Sequence, residues 1–213
     1  MESELEYIMR HSTSADAVLD SVERWAALHT PQPQMVCGPY EGRLLTVLCR
    51  SLHARYVVEV GTFVGYSTIC LARGMSQGGT LHTFEVNEEL ESQIMRHLRM
   101  AGVEERVRLH IGDAQQLLPS IVDESVPSVD LAFIDADKRG TEVYYEMLLP
   151  RMRKGGLIVI DNMLWGRKVM DTERNHDRDT LMIDRFNEKV QNDDRVENVM
   201  VGVRDGLMIC SVL

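Results

Sequence analysis

The stretch YVVEVGTFVGYST, Tyr56 to Thr68, carries strand-favouring residues into an acid, Glu59, and then into two glycines four apart, Gly61 and Gly65. An apolar run rich in Val and Tyr suits a buried parallel strand. Glycines let the backbone turn sharply and approach a ligand closely. The segment therefore predicts a strand, a tight turn and a helix. Ser67 and Thr68 fall in the first helical turn, where free backbone N–H groups and the positive end of the helix dipole attract an anionic group. Neither GxGxxG nor GxxxxGK[ST] is present. The acid before the first glycine disfavours a pyrophosphate and favours a cationic ligand such as an amino-acid ammonium. On this segment alone, a plain strand-to-helix turn is an equal reading.

Working outward, strand and helix patterns alternate. TLHTFEV (Thr80 to Val86), RVRLHIGDA (Arg106 to Ala114, running into a loop), VDLAFIDAD (Val129 to Asp137) and GLIVIDN (Gly156 to Asn162) read as strands. A helix from Asn87 to Gly102 and one through Tyr144 and Leu148 lie between them. Such alternation implies a parallel sheet covered by helices on both faces. After a helix from about Asp179 to Gln191, RVENVMVGV and GLMICSVL flank Arg204, Asp205 and Gly206, and an Asp-Gly turn between apolar runs signals an antiparallel hairpin. Upstream, Ser3 to Thr30 reads as two helices, an arm that covers the core, lids a site or forms a dimer contact. Pro31 to Pro39 holds three prolines and reads as an irregular loop, with a helix from Tyr40 to about Leu52. The expectation is one α/β domain over 1–213, with a helical arm at 1–30 and the core at 31–213.

The chain has 213 residues, a formal net charge of -10, a pI near 5.2 and 44% hydrophobic residues. These bounds fit one domain with a substantial core. No apolar run is long enough to span a bilayer, and the N-terminus lacks the pattern of a signal peptide, so no membrane partner and a cytoplasmic location are expected. Cys37, Cys49, Cys70 and Cys210 are scattered and read as buried reduced thiols. The acidic balance weighs against general nucleic-acid binding.

In open α/β sheets, ligands bind outside the carboxyl ends of the strands. Here an acid ends every parallel strand: Glu59, Glu85, Asp113, Asp135 with Asp137, and Asp161 beside Asn162. Glu85 lies twenty residues beyond Gly65, a reasonable distance for an acid that accepts ribose hydroxyls. Asp113, or the backbone at Ala114, is placed to read an adenine amino group. Taken singly, each acid is more simply a strand-end cap; as a set they outline a nucleoside site. If their strands are neighbours, about 5 Å apart, Asp135, Asp161 and Asn162 converge as three hard oxygen ligands suited to Mg²⁺, Ca²⁺ or Mn²⁺. Lys138 follows Asp135 by three residues, and beside a divalent cation an ammonium gives up its proton more readily.

EVGTFVGYS, FEV, GDA, FIDADK, IDNMLWGRKV and the terminal RDGLMIC, in this order, resemble the catechol and caffeoyl-CoA type O-methyltransferases, which use S-adenosylmethionine and a divalent metal. The resemblance runs from about Gln34 to the C-terminus, and FIDADK is closer to the caffeoyl-CoA and small bacterial enzymes than to animal catechol enzymes. It implies a Rossmann-like class I methyltransferase sheet, mostly parallel with a C-terminal antiparallel hairpin. It also implies that Glu59 and the Gly61 turn hold the methionine part of the cofactor, with Ser67 at its carboxylate and Val36 packing nearby. Glu85 would grip the ribose, and Asp113 and Ala114 would border the adenine. Asp135 would serve both metal and cofactor, Asp161 and Asn162 would complete a Mg²⁺ (or Mn²⁺ or Ca²⁺) site, and Lys138 would be the general base. The acceptor would be a small phenolic or catechol-like molecule. The alternative is 5-hydroxyuridine in tRNA, as in some bacterial relatives, kept open by Arg167, Lys168, Arg174 and Arg178 in the loop beside Trp165. Family members are commonly homodimers.

Overall fold

The computed structural model describes residues 2–122 and 127–213; Met1, the start of the expected arm, lies outside them. Two helices, α1 (Glu4–Arg10) and α2 (Ala17–His29), precede α3 (Gly38–Ser51), β1 (Tyr56–Val60), α4 (Tyr66–Gly74) and β2 (Thr80–Glu85). Then come α5 (Glu91–Met100), β3 (Val107–Ile111), α6 (Ala114–Ile121), β4 (Val129–Ile134), α7 (Thr141–Leu148), β5 (Met152–Ile160) and α8 (Arg178–Gln191). The hairpin β6 (Val196–Val201) and β7 (Leu207–Val212) closes the chain. The seven strands form one sheet in the order β3-β2-β1-β4-β5-β7-β6. The first five are parallel and the last two pairings antiparallel, as the alternation and the terminal hairpin signal require.

Strand residues alternate between the two faces, and the core divides accordingly. Val57, Leu81, Leu131 and Phe133 pack beneath α2 to α5, while Val58, Val60, Ile134 and Ile158 pack against α6, α7 and α8. β1 is buried along its whole length, which is why it reads as a continuous apolar run rather than an alternating one. Among the described residues, no helix is long and apolar enough to cross a membrane.

Two local readings are corrected. The 31–39 stretch is less irregular than its prolines imply: Pro33–Met35 forms a 3₁₀ turn and Pro39 sits in the first turn of α3, where its missing N–H costs nothing. The strand expected to run into a loop by Ala114 ends at Ile111, but a helix follows at once: Asp113 caps α6 by accepting from the Gln115 N–H at 2.9 Å. Pro119, inside α6, masks this helix in the sequence.

Strand order reverses between β1 and β4, so this seam is where a ligand crevice opens. Asp135 N donates to Val60 O at 2.9 Å, and Gly61 N and Thr62 N both donate to Phe84 O at 3.1 Å. Gly61 has φ +104°, and a Cβ there would collide with the Asp135 carbonyl. Gly65 has φ +87° but its nearest neighbour would be 3.7 Å away. Gly65→Ala is therefore expected to cost only the left-handed penalty of about 1–2 kcal/mol. Gly61→Ala must also part β1 from β4 and is expected to cost clearly more, with loss of ligand binding. Urea unfolding of both variants checks this; equal losses would show that the seam does not depend on Gly61.

Candidate active site

The turn after β1 is built on a buried polar chain. Glu59 Oε2 accepts from Thr68 Oγ1 at 2.5 Å and from Thr83 Oγ1 at 2.6 Å, and Thr62 and Thr83 hydroxyls lie 2.5 Å apart. Glu59 is fully buried within β1, and its other oxygen has no hydrogen-bond partner among the described residues. Burial raises its pKa to about 7, against the opposing pull of the Ser67, Thr68 and Thr83 hydroxyls. The side chain sits between sheet and α4 and does not line the open cavity, so it acts on the turn from beneath.

Above the turn lies a cavity of about 960 Å³, at the upper end of the range that ordinarily holds small molecules and cofactors. Val36, Gly61, Ser67, Glu85, Asp113, Ala114, Asp135, Lys138, Asp161 and Asn162 all line it. Of the residues expected to bind the donor or the metal or to act as base, Glu59 alone does not. Among the described residues no side-chain hydrogen bond caps the N-terminus of α4, where Gly65 adopts the left-handed conformation and Ser67 follows. Glu85 closes β2. Its Oε2 accepts from Phe63 N at 2.7 Å and its Oε1 from Asn87 N at 2.9 Å, leaving lone pairs on both oxygens for hydroxyl donors. Asp113 faces solvent at the N-terminus of α6.

β4 and β5 are hydrogen-bonded neighbours, so Asp135, Asp161 and Asn162 emerge side by side. Asp161 is 5% exposed, and its Oδ1 accepts from Asn162 N at 2.6 Å. Asn162 has φ +64°, a conformation Asn tolerates better than most residues. Lys138 Nζ lies 3.5 Å from Asp135 Oδ1 and 3.4 Å from Asp161 O. Burial, then the charge of Asp135, pushes the Asp161 carboxyl up to about 7. Burial raises Asp135 as well, and Lys138 opposes the rise. Two acids thus share a pocket with too little positive charge between them. Among the described residues, no three His, Cys, Asp or Glu side chains gather into a metal-holding group; the set here is two carboxylates and an amide.

Several residues of the site escaped the sequence reading. Glu41, on α3, is fully buried, with neither carboxylate oxygen hydrogen-bonded among the described residues and Arg204 Nη1 3.8 Å away. Its pKa is pushed up to about 9 by burial, then by Asp161 and Asp135. Nothing in a helix sequence marks such a group. Val86 is 75% exposed at the cavity rim, and an apolar residue just after a strand-end acid was a usable sign. Asp137 is turned away to α7, accepting from Gly140 N at 2.7 Å and Tyr144 Oη at 2.9 Å. Trp165 lines the cavity. Of the basic loop residues, Lys168 and Arg174 pair with Asp177 and Asp171, each at 3.5 Å.

Residues 9–213 match the profile of a family described as O-methyltransferase. A probable caffeoyl-CoA O-methyltransferase 1 of Dictyostelium discoideum is 28% identical over 206 residues, 96% of this chain and 90% of the relative. A catechol O-methyltransferase of Niastella koreensis is 34% identical over 139 residues, 65% of this chain and 63% of the relative. The crystal structure of an O-methyltransferase from Bacillus cereus in complex with SAH superposes with a TM-score of 0.88 at 31% identity, covering 98% of this chain and 96% of that one.

The raised carboxyls give the fold a pH dependence. Glu41 and Glu59 hold protons more tightly when folded than at their ordinary value of 4.5. The native state then binds more protons than the unfolded chain from about pH 4.5 up to about 7 for Glu59 and about 9 for Glu41. Their contribution is whole below that window and declines as pH rises through it. Metal-free protein is expected to lose stability between pH 5 and 8, at roughly 1.4 kcal/mol per unit for each such group, and Glu41→Gln to flatten the decline. Urea titrations at pH 5, 6.5 and 8 check this; rising stability over that range would contradict the buried-acid picture.

Proposed function

The chain belongs to the O-methyltransferase family, and from that premise we propose that it moves a methyl group from S-adenosylmethionine to one of two vicinal oxygens of a small catechol-like acceptor. A divalent cation, Mg²⁺ or else Mn²⁺ or Ca²⁺, would be held by Asp135, Asp161 and Asn162. The observation that supports this reading is that Asp135, Asp161, Asn162 and Lys138 line one cavity at the ends of β4 and β5, with Lys138 Nζ 3.5 Å from Asp135 Oδ1 and 3.4 Å from the backbone O of Asp161. All-oxygen donors suit a hard cation, and the undercompensated charge on the two acids fits one.

The chain's own groups then divide the work. The uncapped N-terminus of α4, with Ser67, suits the donor's carboxylate. Glu59 fixes the Gly61 turn from below, and Asp135 faces the donor's ammonium as well as the cation. Glu85 accepts the ribose hydroxyls. Asp113 and Ala114 border the adenine, and Val36 and Val86 offer it apolar surface. S-adenosylmethionine supplies an electrophilic methyl on a sulfonium. A cation at the acid pair supplies a fixed positive charge that lowers the pKa of a neighbouring hydroxyl. Lys138 Nζ, at the same rim, would take the acceptor proton as the neutral amine, the form that a neighbouring divalent cation favours. The cavity orients donor and acceptor in line, which accounts for much of the rate. Trp165 forms a flat wall for an aromatic acceptor.

The tRNA reading draws less support, since the chain carries net charge -10 and two of its four basic loop residues are paired with acids. A homodimer contact is assigned to the arm, where α1 buries no residue and exposes Leu5 and Tyr7.

A screen with labelled donor against catechols, caffeoyl esters and hydroxyuridine-containing tRNA tests the proposal. Methylation of vicinal diols is expected; transfer to tRNA alone, with binding that weakens steeply in salt, would favour the alternative. Lys138→Ala is expected to lower kcat by roughly 10²–10⁴-fold with donor affinity largely kept, and Asp161→Ala to abolish turnover. Equal turnover in wild type and Asp161→Ala would remove the metal from the mechanism.

A further inference from the structure

The loop from Gln32 to Cys37 forms one wall of the cavity, with Gln34, Met35 and Val36 facing it. Its internal bonds are local: Met35 N donates to Gln32 O at 3.1 Å and Val36 N to Pro33 O at 3.2 Å. Two hydrogen bonds tie this wall to a distant part of the chain, and both come from one side chain, 168 residues beyond Val36. Arg204 Nη1 donates to Val36 O at 2.6 Å and Nη2 to Gln34 O at 3.2 Å.

Arg204 stands in the turn between β6 and β7, with φ +47°. The same turn also holds the segment that follows Asn162. Leu164 N donates to Asp205 O at 2.8 Å, Met163 N to Gly206 O at 2.9 Å, and Gly166 N to Asp205 Oδ1 at 2.7 Å. A hairpin tip thus touches both the loop carrying Val36 and the loop that follows Asn162. The guanidinium also lies 3.8 Å from the buried Glu41 carboxyl, whose oxygens have no hydrogen-bond donor among the described residues.

We propose that Arg204 is a positioning residue for the donor: its guanidinium latches the Gln34–Val36 backbone and keeps that wall in its binding shape. The proposal rests on the donor-site reading above. Arg suits the task because its rigid fork bonds two carbonyls at once, which a lysine ammonium on a flexible stem does less well. Asp205 and Gly206, not Arg204, hold the segment that follows Asn162, so removing the guanidinium frees the Gln34–Val36 wall selectively.

Donor binding by calorimetry with S-adenosylhomocysteine and peptide-level hydrogen–deuterium exchange, on wild type, Arg204→Ala and Arg204→Lys, test the latch. Arg204→Ala is expected to weaken binding on the order of tenfold and to raise KM for S-adenosylmethionine far more than it lowers kcat. Faster exchange should be confined to residues 31–37, and Arg204→Lys should recover part of both effects. Unchanged affinity and unchanged exchange at 31–37 would overturn the latch. So would exchange rising equally through β5 and β7, which would make Arg204 a general brace of the fold. Failure of wild type itself to bind S-adenosylhomocysteine would sink the donor-site reading, and the exchange at 31–37 would still decide whether Arg204 holds the wall.

Discussion

The approach of the Gly61 backbone to the Asp135 carbonyl is the constraint on which the rest depends. It holds β1 against β4 at the point where strand order reverses, and no side chain fits between them. With that seam closed, the turn into α4 and the end of β4 face one cavity. Charged groups from opposite ends of the sequence then come within a few ångströms of one another. The buried hydroxyl chain from Thr62 through Thr83 and Glu59 to Thr68 fixes the same turn from below. The site is thus built on strand ends and a helix start, rigid elements suited to precise placement.

Electrostatics follow from that geometry. Glu41, Asp135 and Asp161 are drawn together with Lys138 and Arg204 as the nearby cations among the described residues, and burial raises all three carboxyls above their ordinary values. Fold stability alone would be better served by apolar residues at these positions. Such a cluster is intelligible as an arrangement kept for a ligand that brings positive charge, which both a sulfonium donor and a divalent cation do.

Much of this was legible in the chain. The valine run and spaced glycines of 56–68 announced β1, its turn and α4, because burial and positive φ restrict residue choice so strongly. Acids at successive strand ends pointed to the cavity, since the pleat and the parallel topology leave few places for them. Other features were not legible. Glu59 reads as a strand-end acid but lies one residue inside β1 and turns toward α4, a difference of register that alternation in an all-buried strand does not reveal. Glu41 looks like any helix acid, and Arg204 like any turn residue. Their roles come from contacts across more than 160 residues of chain, which local pattern does not carry. The helix after Asp113 was hidden by its proline, and the start of α3 by Pro39, both tolerated near helix ends.

The central claim is that a divalent cation sits between the tips of β4 and β5, beside a bound donor. A crystal of the protein grown with Mn²⁺ and S-adenosylhomocysteine, with data collected at the manganese edge, tests it most directly. The account predicts an anomalous peak within ligand distance of Asp135, Asp161 and Asn162, with the nucleoside against Glu85. A manganese peak elsewhere, or those three side chains turned away from a common point, would contradict it.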